Sequence, residues 1–519
     1  MKDAAAPIET ELKLRLDPVA LPRISRHPAL LAIKRGRART AQLVSTYYDS
    51  ADRRLARAGV ALRVRREGRR FVQTVKGPAS DISGGGLSAR SEYEWPVRSN
   101  RPDPRPLAKT PWRRLFAKAV RKGGLEPVFT TDFRRTTIPV AFADSTLATV
   151  CIDAGKIRSG DRQERLCELE IELEAGVASR LFELAQALAA DVPLAIETQS
   201  KADRGHALAT PSKPNPVRAA DVELPRRAST GVALAAILRN CVRQIEDNAD
   251  GLVVGTDPEW VHQMRIGARR LRSALALARG RAPAAALAPV VAEVKWLART
   301  LGLARDLDVF ALETLPALRK ATTGSPLASA LAALARRTAL RRRGARQAAR
   351  DAVASSRFAR FVLAAGALAS DPSLGALPGS AGANALDAPA RDYARNVLKR
   401  RHRKLVAAGD GLDTASPAQR HVTRIAAKKL RYAAEFFAPL FPAKRSRTYR
   451  KALARVQDVL GRLNDAAVAA TLARELAGPE VTSAAAFEGW AAAEMAMLAP
   501  ELGAAWKSFV RASVFWSRD

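Results

Sequence analysis

The sequence predicts a multidomain α+β protein, with a strand-built N-terminal part and an all-helical C-terminal part. Three observations predict it. Up to about residue 206, short stretches alternate apolar and polar residues with period two. Residues 209–225, with prolines at 211, 214, 216 and 225, then break the pattern. Beyond them, apolar residues recur at spacings of three and four in a background rich in Ala, Leu and Arg. The expected division is a first domain over 1–206, a linker over 207–225 and a helical domain over 226–519.

In the first part, alternation marks strands at residues 8–16, 61–66, 71–76, 91–97, 148–153 and 166–173. The turn chemistry of Ser83-Gly84-Gly85-Gly86 separates two of them. Residues 107–122 and 179–188 read as helices. On a strand, residues two apart share a face. Glu9, Glu11, Lys13 and Arg15 therefore line one side of the first strand, and Thr10, Leu12 and Leu14 the other. Arg63 with Arg65, Thr74 with Lys76, and Arg90, Glu92 and Glu94 repeat this split. Glu168, Glu170, Glu172 and Glu174 form a row of four carboxylates. Such strands are either exposed, with solvated charges, or the wall of a tunnel with a charged interior. Several strands sharing the pattern favour the tunnel. Two carboxylates ~4 Å apart repel by about 4 kcal/mol at an effective dielectric near 20. A closed site holding several needs a cation, and hard divalent ions such as Mg²⁺ or Mn²⁺ match oxygen ligands. The arginines and lysines need an anion, and phosphate fits guanidinium geometry. Carboxylates for metal beside cations for phosphate is the inventory of phosphoryl transfer.

These residues resemble the CYTH domain of the triphosphate tunnel metalloenzymes over roughly residues 5–206. Glu9-x-Glu11-x-Lys13 carries the resemblance. So does the ordered set Tyr48-Asp49, Leu62-Arg63-Val64-Arg65, Thr74-Val75-Lys76-Gly77, Arg90-x-Glu92-x-Glu94, Thr131-Asp132-Phe133-Arg134-Arg135, Asp153-x-Gly155, Glu168-x-Glu170-x-Glu172 and Ser200-Lys201-x-x-Arg204-Gly205. The resemblance implies an eight-stranded antiparallel tunnel with peripheral helices, holding triphosphate and Mg²⁺ or Mn²⁺. It implies Glu9, Glu11 and Lys13 as catalytic, and Glu9, Glu11, Glu168 and Glu170 as metal ligands. Glu92, Glu94 and Asp153 are secondary acidic candidates. Lys13, Arg63, Arg65, Lys76, Arg135 and Lys201 are implied to bind phosphate, with Arg15, Arg90 and Arg204 as additions. Arg134 and Arg135 are adjacent, and the sequence leaves open which faces inward. It also leaves open whether Glu172 lies beyond the metal zone.

The helical part is duplicated. His262, Arg265, Arg269, Arg270, Leu271 and Arg272 match His421, Arg424, Lys428, Lys429, Leu430 and Arg431 at an offset of 159 residues. Leu301-Gly302-x-x-Arg305-Asp306 matches Leu460-Gly461-x-x-Asn464-Asp465 at the same offset. The breaker over 370–384 separates two repeats, about 226–370 and 385–519, each expected to be a small antiparallel bundle. His262, Arg265, Arg269 and Arg272 form one helical stripe, and His421, Arg424, Lys428 and Arg431 a second. A basic stripe is either a solvated face or an anion site, and its duplication favours the site. Arg336, Arg343 and Arg350 extend the basic field. The two stripes resemble the CHAD domain, a conserved-histidine α-helical module, over about residues 225–515. That resemblance implies two four-helix bundles binding inorganic polyphosphate through these eight residues.

Charge agrees with an anionic partner. The net charge is +35 and the pI about 11.1. Residues 1–206 hold 37 basic and 25 acidic side chains, and the rest 49 and 26. Aromatic residues are only 5%, and there is no RNA-recognition signature or zinc finger, which argues against nucleic acid. The three cysteines, Cys151, Cys167 and Cys241, fit neither a disulfide framework nor a zinc site. No apolar run reaches membrane-spanning length, and the first residues, with Asp3 and Glu9, do not read as an export signal. The expected compartment is the cytoplasm, in association with polyphosphate granules. The leading expectation is an inorganic triphosphatase, a phosphoric anhydride hydrolase acting on tripolyphosphate. Its alternatives are a nucleotide or thiamine triphosphatase, an adenylate cyclase on the same tunnel, or a non-catalytic polyphosphate-binding protein.

Overall fold

The computed structural model describes residues 8–80, 84–121, 123–211, 213–412, 415–477 and 481–517. Ser83 of the expected glycine turn, Lys122 of the expected helix and residues 1–7 lie outside them. The chain divides into two compact units, Met1–Asn215 with Ala354–Ser370, and Pro216–Val353 with Asp371–Asp519.

Among the described residues, the first unit is built on nine strands: β1 (Ile8–Leu16), β2 (Arg39–Asp49), β3 (Ala61–Glu67), β4 (Arg70–Ala79), β5 (Leu87–Val97), β6 (Glu126–Ala141), β7 (Leu147–Ser159), β8 (Arg162–Ala175) and β9 (Leu194–Ile196). Eight run antiparallel in the order β5-β4-β3-β2-β6-β7-β8-β1, and β1 pairs back onto β5. The sheet is thereby closed into a barrel, and every strand in it has two partners. The short β9 pairs with the end of β1.

Alternation decides which side chains fill the barrel. Leu12, Leu14, Leu169 and Ile171 point outward into a core with Leu181, Phe182 and Leu188 of helix α2 (Ser179–Asp191). Leu62, Val64 and Val75 point outward into a second core with Phe116 of helix α1 (Arg113–Arg121). The intervening charged residues point in. Inside one end, Leu43, Tyr47, Phe129, Phe133, Ile157 and Leu166 form an apolar cluster with Ala202 of helix α3 (Lys201–Ala209). Tyr47 stacks on Phe129 with ring centroids 4.4 Å apart. Helix α3 approaches so closely that a Cβ at Gly205 would lie 2.0 Å from the Phe129 ring.

Two barrel strands escape the period-two reading, as does the three-residue β9. In β2 and β6, Thr and Ser occupy both faces, so hydrophobicity does not alternate there. The helix expected over 107–122 is two pieces, Pro104–Leu107 and α1, broken where Thr110 donates its hydroxyl to the Leu107 carbonyl at 2.8 Å.

Among the described residues, the second unit holds two sets of four long helices. The first set is α4 (Thr230–Glu246), α5 (Glu259–Ala278), α6 (Ala284–Val309) and α7 (Leu327–Ala354). Between the sets, in sequence, comes α8 (Ser356–Ser370). The second set is α9 (Ala390–Ala408), α10 (Pro417–Phe437), α11 (Ala443–Ala477) and α12 (Val481–Val510). The duplicated segments occupy matching places, the stripes on α5 and α10 and the Leu-Gly-x-x-(Arg/Asn)-Asp segments on α6 and α11.

The expected boundaries shift at two places. Helix α8, read as the end of the first repeat, packs in the first unit. Its Leu363 is fully buried in the core with Phe182 and Leu184, and Arg360 donates to the Ala189 carbonyl at 3.4 Å. Buried apolar residues such as Phe358, Phe361 and Val362 run around α8, so its pattern does not say which neighbour covers it. The expected linker is also shorter than 207–225. Helix α3 runs to Ala209, and from Pro216 the chain packs in the second unit. There Asn248 bonds both the amide and the carbonyl of Val217 at 2.9 Å. Among the described residues, no single helix is long and apolar enough to cross a membrane.

Candidate active site

The inward rows of the barrel meet around a cavity of about 190 Å³. Seven cations line it: Lys13, Arg63, Arg65, Lys76, Arg90, Arg135 and Lys201. Six carboxylates line it too: Glu9, Glu11, Glu92, Glu94, Glu170 and Glu172. Strand register brings these charges together. Lys13 stands opposite Glu170, Glu11 opposite Glu172, Arg135 opposite Asp153, and Lys76 opposite Glu92.

Each expected site residue of the barrel has a defined place. Lys13 pairs with Glu11 at 2.8 Å and reaches Glu170 at 3.8 Å. Lys76 pairs with Glu9, and with Glu92 at 3.3 Å. Arg63 lies 3.6 Å from Glu92 and 3.8 Å from Glu94, and Arg65 3.1 Å from Glu67. Arg135 turns inward to Asp153 at 2.7 Å, Glu172 at 3.1 Å and Glu170, while Arg134 is exposed. Lys201, at the start of α3, reaches Asp153, Glu168 and Glu170 at 2.9, 2.7 and 2.8 Å. Glu168 does not line the cavity. It is fully buried behind Lys201, and Arg204 grips its other oxygen.

Among the described residues, two groups of three carboxylates are close enough to hold an ion, with ligand atoms within 4.8 Å of one another. One is Glu9, Glu11 and Glu172, and the other Asp153, Glu168 and Glu170. The second is balanced by Lys201, Arg135 and Arg204. Burial works against the Glu170 carboxylate, but Lys201, Arg135 and Lys13 outweigh it and hold it well below the usual range. The first group is less well matched. Burial, then Glu170, Glu9 and Glu11, push Glu172 up to about 7 despite Arg135. Burial opposes the Lys13 ammonium, but Glu11 and Glu170 raise it above an ordinary lysine. Buried Nε atoms of Arg63 and Arg65 have no hydrogen-bond partner. The site thus offers unused donors beside a cluster of under-compensated oxygens, which suits an anion bound together with a hard cation.

Sequence reasoning left Glu172 open, yet it lies at the centre. Asp153, a secondary candidate, is the fully buried partner of Arg135 and Lys201. Tyr47, Thr74 and Ser200 line the cavity without having been singled out as ligands. Their residue types carry no charge signal, and only closure of the barrel places them.

The helical stripes converge in part. Arg265 and Arg269 of α5 share one field with Arg424 and Lys428 of α10. Burial first, then Arg269, Arg424 and Arg265, push Lys428 down to about 6. Arg265 pairs with Asp306 at 3.4 Å, and Asp465 lies in the same field. Burial and Arg305 lower half-buried His262. The outer members stand apart. Arg272 and His421 are exposed, and Arg431 bonds Glu435 at 2.7 Å and Gln457 at 3.0 Å. The two aspartates were visible in the repeat, and their role as counter-charges emerges only from packing. Parts of the wider basic field are structural: Arg342 pairs with buried Asp308 at 2.6 Å, and Arg350 bonds the Gly255 carbonyl at 2.9 Å.

Comparison with known proteins agrees with this architecture. Residues 7–206 match the CYTH domain model and residues 236–474 the CHAD domain model. A crystal structure of the CHAD domain from the plant Ricinus communis is 35% identical, covering 58% of this chain and 99% of that one, with a TM-score of 0.50. An inorganic triphosphatase of Haemophilus influenzae is 33% identical over 168 residues. That match spans 32% of this chain and 46% of the relative, so less than half of the curated protein is represented. A putative adenylyl cyclase from Hippeastrum with a dominant triphosphatase activity is 20% identical over 38% of this chain and 95% of that one, with a TM-score of 0.29. The chain therefore joins a CYTH domain, residues 7–206, whose strands form the closed barrel, to the duplicated helices of a CHAD domain, and through those helices it belongs to the CHAD family.

Proposed function

We propose that the barrel hydrolyses inorganic triphosphate to pyrophosphate and phosphate with a divalent cation, and that the helical domain holds inorganic polyphosphate. The observation that carries the catalytic reading is the closed barrel's interior, where seven cations and six carboxylates surround one small cavity. The name of the Haemophilus relative supports the same chemistry. Glu9, Glu11 and Glu172, with Asp153, Glu168 and Glu170, are the residues that would hold Mg²⁺ or Mn²⁺. Such an ion, when bound, supplies neutralisation of phosphate charge and acidification of a water. The chain's own residues do the rest. Arg63, Arg65, Lys76 and Arg135 grip phosphate oxygens and fix the chain for in-line attack of water on the terminal phosphorus. Lys13 and Lys201, both held protonated by neighbouring carboxylates, stabilise charge that builds on the leaving pyrophosphate. The fully buried walls at Asp153 and Glu168 keep these interactions away from bulk water.

On the helical domain, convergence of Arg265, Arg269, Arg424 and Lys428 supports polyphosphate binding. These like charges oppose one another until an anion arrives. His262, His421, Arg272 and Arg431 would contribute at the ends of that contact.

The test is phosphate release from tripolyphosphate, ATP and thiamine triphosphate, with Mg²⁺ or Mn²⁺ and with EDTA. Chelator-sensitive turnover, fastest on tripolyphosphate, is expected. Glu11→Ala should lower it roughly 100-fold or more with the fold retained. No turnover on any substrate from folded, metal-loaded protein would leave a polyanion-binding protein instead.

A further inference from the structure

A second basic surface lies on the helical unit, away from the two stripes. Helices α11 and α12 pack along one another, and a groove of about 740 Å³ runs at one end of their contact. Arg447, Lys451 and Arg455 of α11 line it. At spacings of four they share one helix face, ~6 Å apart along the axis by helical rise. Lys507, near the end of α12, and Arg511, just beyond it, face them. All five are exposed, no carboxylate lines the groove, and none of the five makes an ion pair among the described residues. Its floor is small, with Ala452 and Ala504, leaving room for a chain.

The rest of the same helix pair shows that this is not simply how α11 and α12 meet. Further along, Arg462 of α11 pairs with Glu494 at 3.3 Å and Glu501 at 2.9 Å on α12. Arg474 pairs with Glu488 at 2.6 Å. Within one helix pair, α12 answers α11 with acids over one stretch and with further cations over another. Like charges facing each other across a groove oppose packing unless an anion joins them.

We infer that this groove is a second binding site for an inorganic polyphosphate chain, separate from the stripes of α5 and α10. The inference rests on the proposal that the helical domain holds polyphosphate. The lining favours a bare phosphate polymer over nucleic acid, because it offers cations, alanines and the hydroxyls of Thr448 and Ser508 but no aromatic ring for a base. Two sites on one unit let a long chain engage both, so affinity should rise with chain length beyond what either site supplies.

The experiment measures binding of long-chain polyphosphate to the full-length protein across a salt series. Wild type is compared with K451A/R455A/K507A, with R265A/R424A on the stripes, and with R66A/R69A/R70A, exposed cations of the barrel unit that match the charge change. The groove variant should lose affinity by about tenfold or more. Its log–log salt slope should flatten by about two, as expected for roughly three lost phosphate contacts. Tripolyphosphate hydrolysis and the barrel-control variant should be unchanged. If the groove variant binds as wild type, or loses no more than the control, the groove is not a site. That outcome leaves the stripe reading standing provided R265A/R424A weakens binding. Wild type that does not bind long-chain polyphosphate sinks both readings together. Loss of single-stranded DNA binding with polyphosphate binding kept would make the groove a nucleic-acid surface and overturn the inference.

Discussion

Lys201 concentrates the electrostatics of the barrel in one side chain. Its ammonium lies within 2.9 Å of oxygens on Asp153, Glu168 and Glu170, all in the barrel wall. Removing one partner of a buried ionic cluster leaves its counter-charges uncompensated, at a cost of about 3–5 kcal/mol. Lys201→Ala should therefore lower stability by about that amount in urea unfolding with EDTA, and Mg²⁺ should restore part of it. Equal stability with and without metal would count against an ion site at these carboxylates. Lys428 makes a different prediction. Burial and three neighbouring guanidiniums push it down to about 6 in the free protein, so it is largely neutral at pH 7. Bound phosphate favours the ammonium, so binding takes up a proton. Affinity for polyphosphate should be greatest below pH 6 and fall as pH rises, by up to about tenfold per unit for one linked proton. The sign for stability is opposite: below the usual lysine range the unfolded chain binds more protons, so the anion-free fold gains stability as pH rises from about 6. Calorimetry in buffers of different ionisation enthalpy measures the uptake, and Lys428→Met should abolish it.

At the scale of elements, legibility follows local pattern. Strand β1 spans Ile8–Leu16, as its alternation predicts, because outward leucines and inward charges alternate without a break. Strands β2 and β6 were carried only by the family motif, since Thr and Ser on both faces hide the period. Helix α3 was not read from the sequence, where Ser200-Lys201-x-x-Arg204-Gly205 entered only as a family motif; in the fold Ser200 caps it in a reciprocal pair with Asp203. The reason for Gly205 was not visible. It is the close approach of α3 to the Phe129 ring, where any Cβ collides. Gly205→Ala should destabilise the barrel unit by about 1–3 kcal/mol through overpacking. Because α3 also carries Lys201, activity should fall more than stability alone explains, which parallel unfolding and phosphate-release assays on the variant would reveal. On the helical side, the repeat offset located both stripes, but position along each helix sorted their members. Arg265, Arg269, Arg424 and Lys428 share a field, whereas Arg272 and His421 face solvent.

For the whole molecule, the main departure is helix α8. By sequence it follows the first helical set, and by packing it belongs to the barrel unit, with Leu363 fully buried beside Phe182. The stability of the barrel unit thus depends on residues encoded about 160 positions beyond its last strand. Leu363→Ala should destabilise the barrel unit by about 2–5 kcal/mol. Hydrogen exchange resolved by segment should show lost protection in α2 and β1, with α4 and α10 unaffected. Equal loss in the helical unit would contradict the assignment of α8.

What the sequence determined by itself was face and repetition. The period of a strand or helix is set by backbone geometry, so Glu9, Glu11 and Lys13 share a face whatever lies around them. The offset of 159 residues likewise needed no structure to be seen. Tertiary structure decided which faces close on one another. It placed Glu172 beside Glu9 and Glu11, turned Arg135 rather than Arg134 inward, set Glu168 behind Lys201, and gave α8 to the barrel. Each of these depends on contacts between residues far apart in the chain, made when the sheet closes and the helices pack, and no local pattern carries that information.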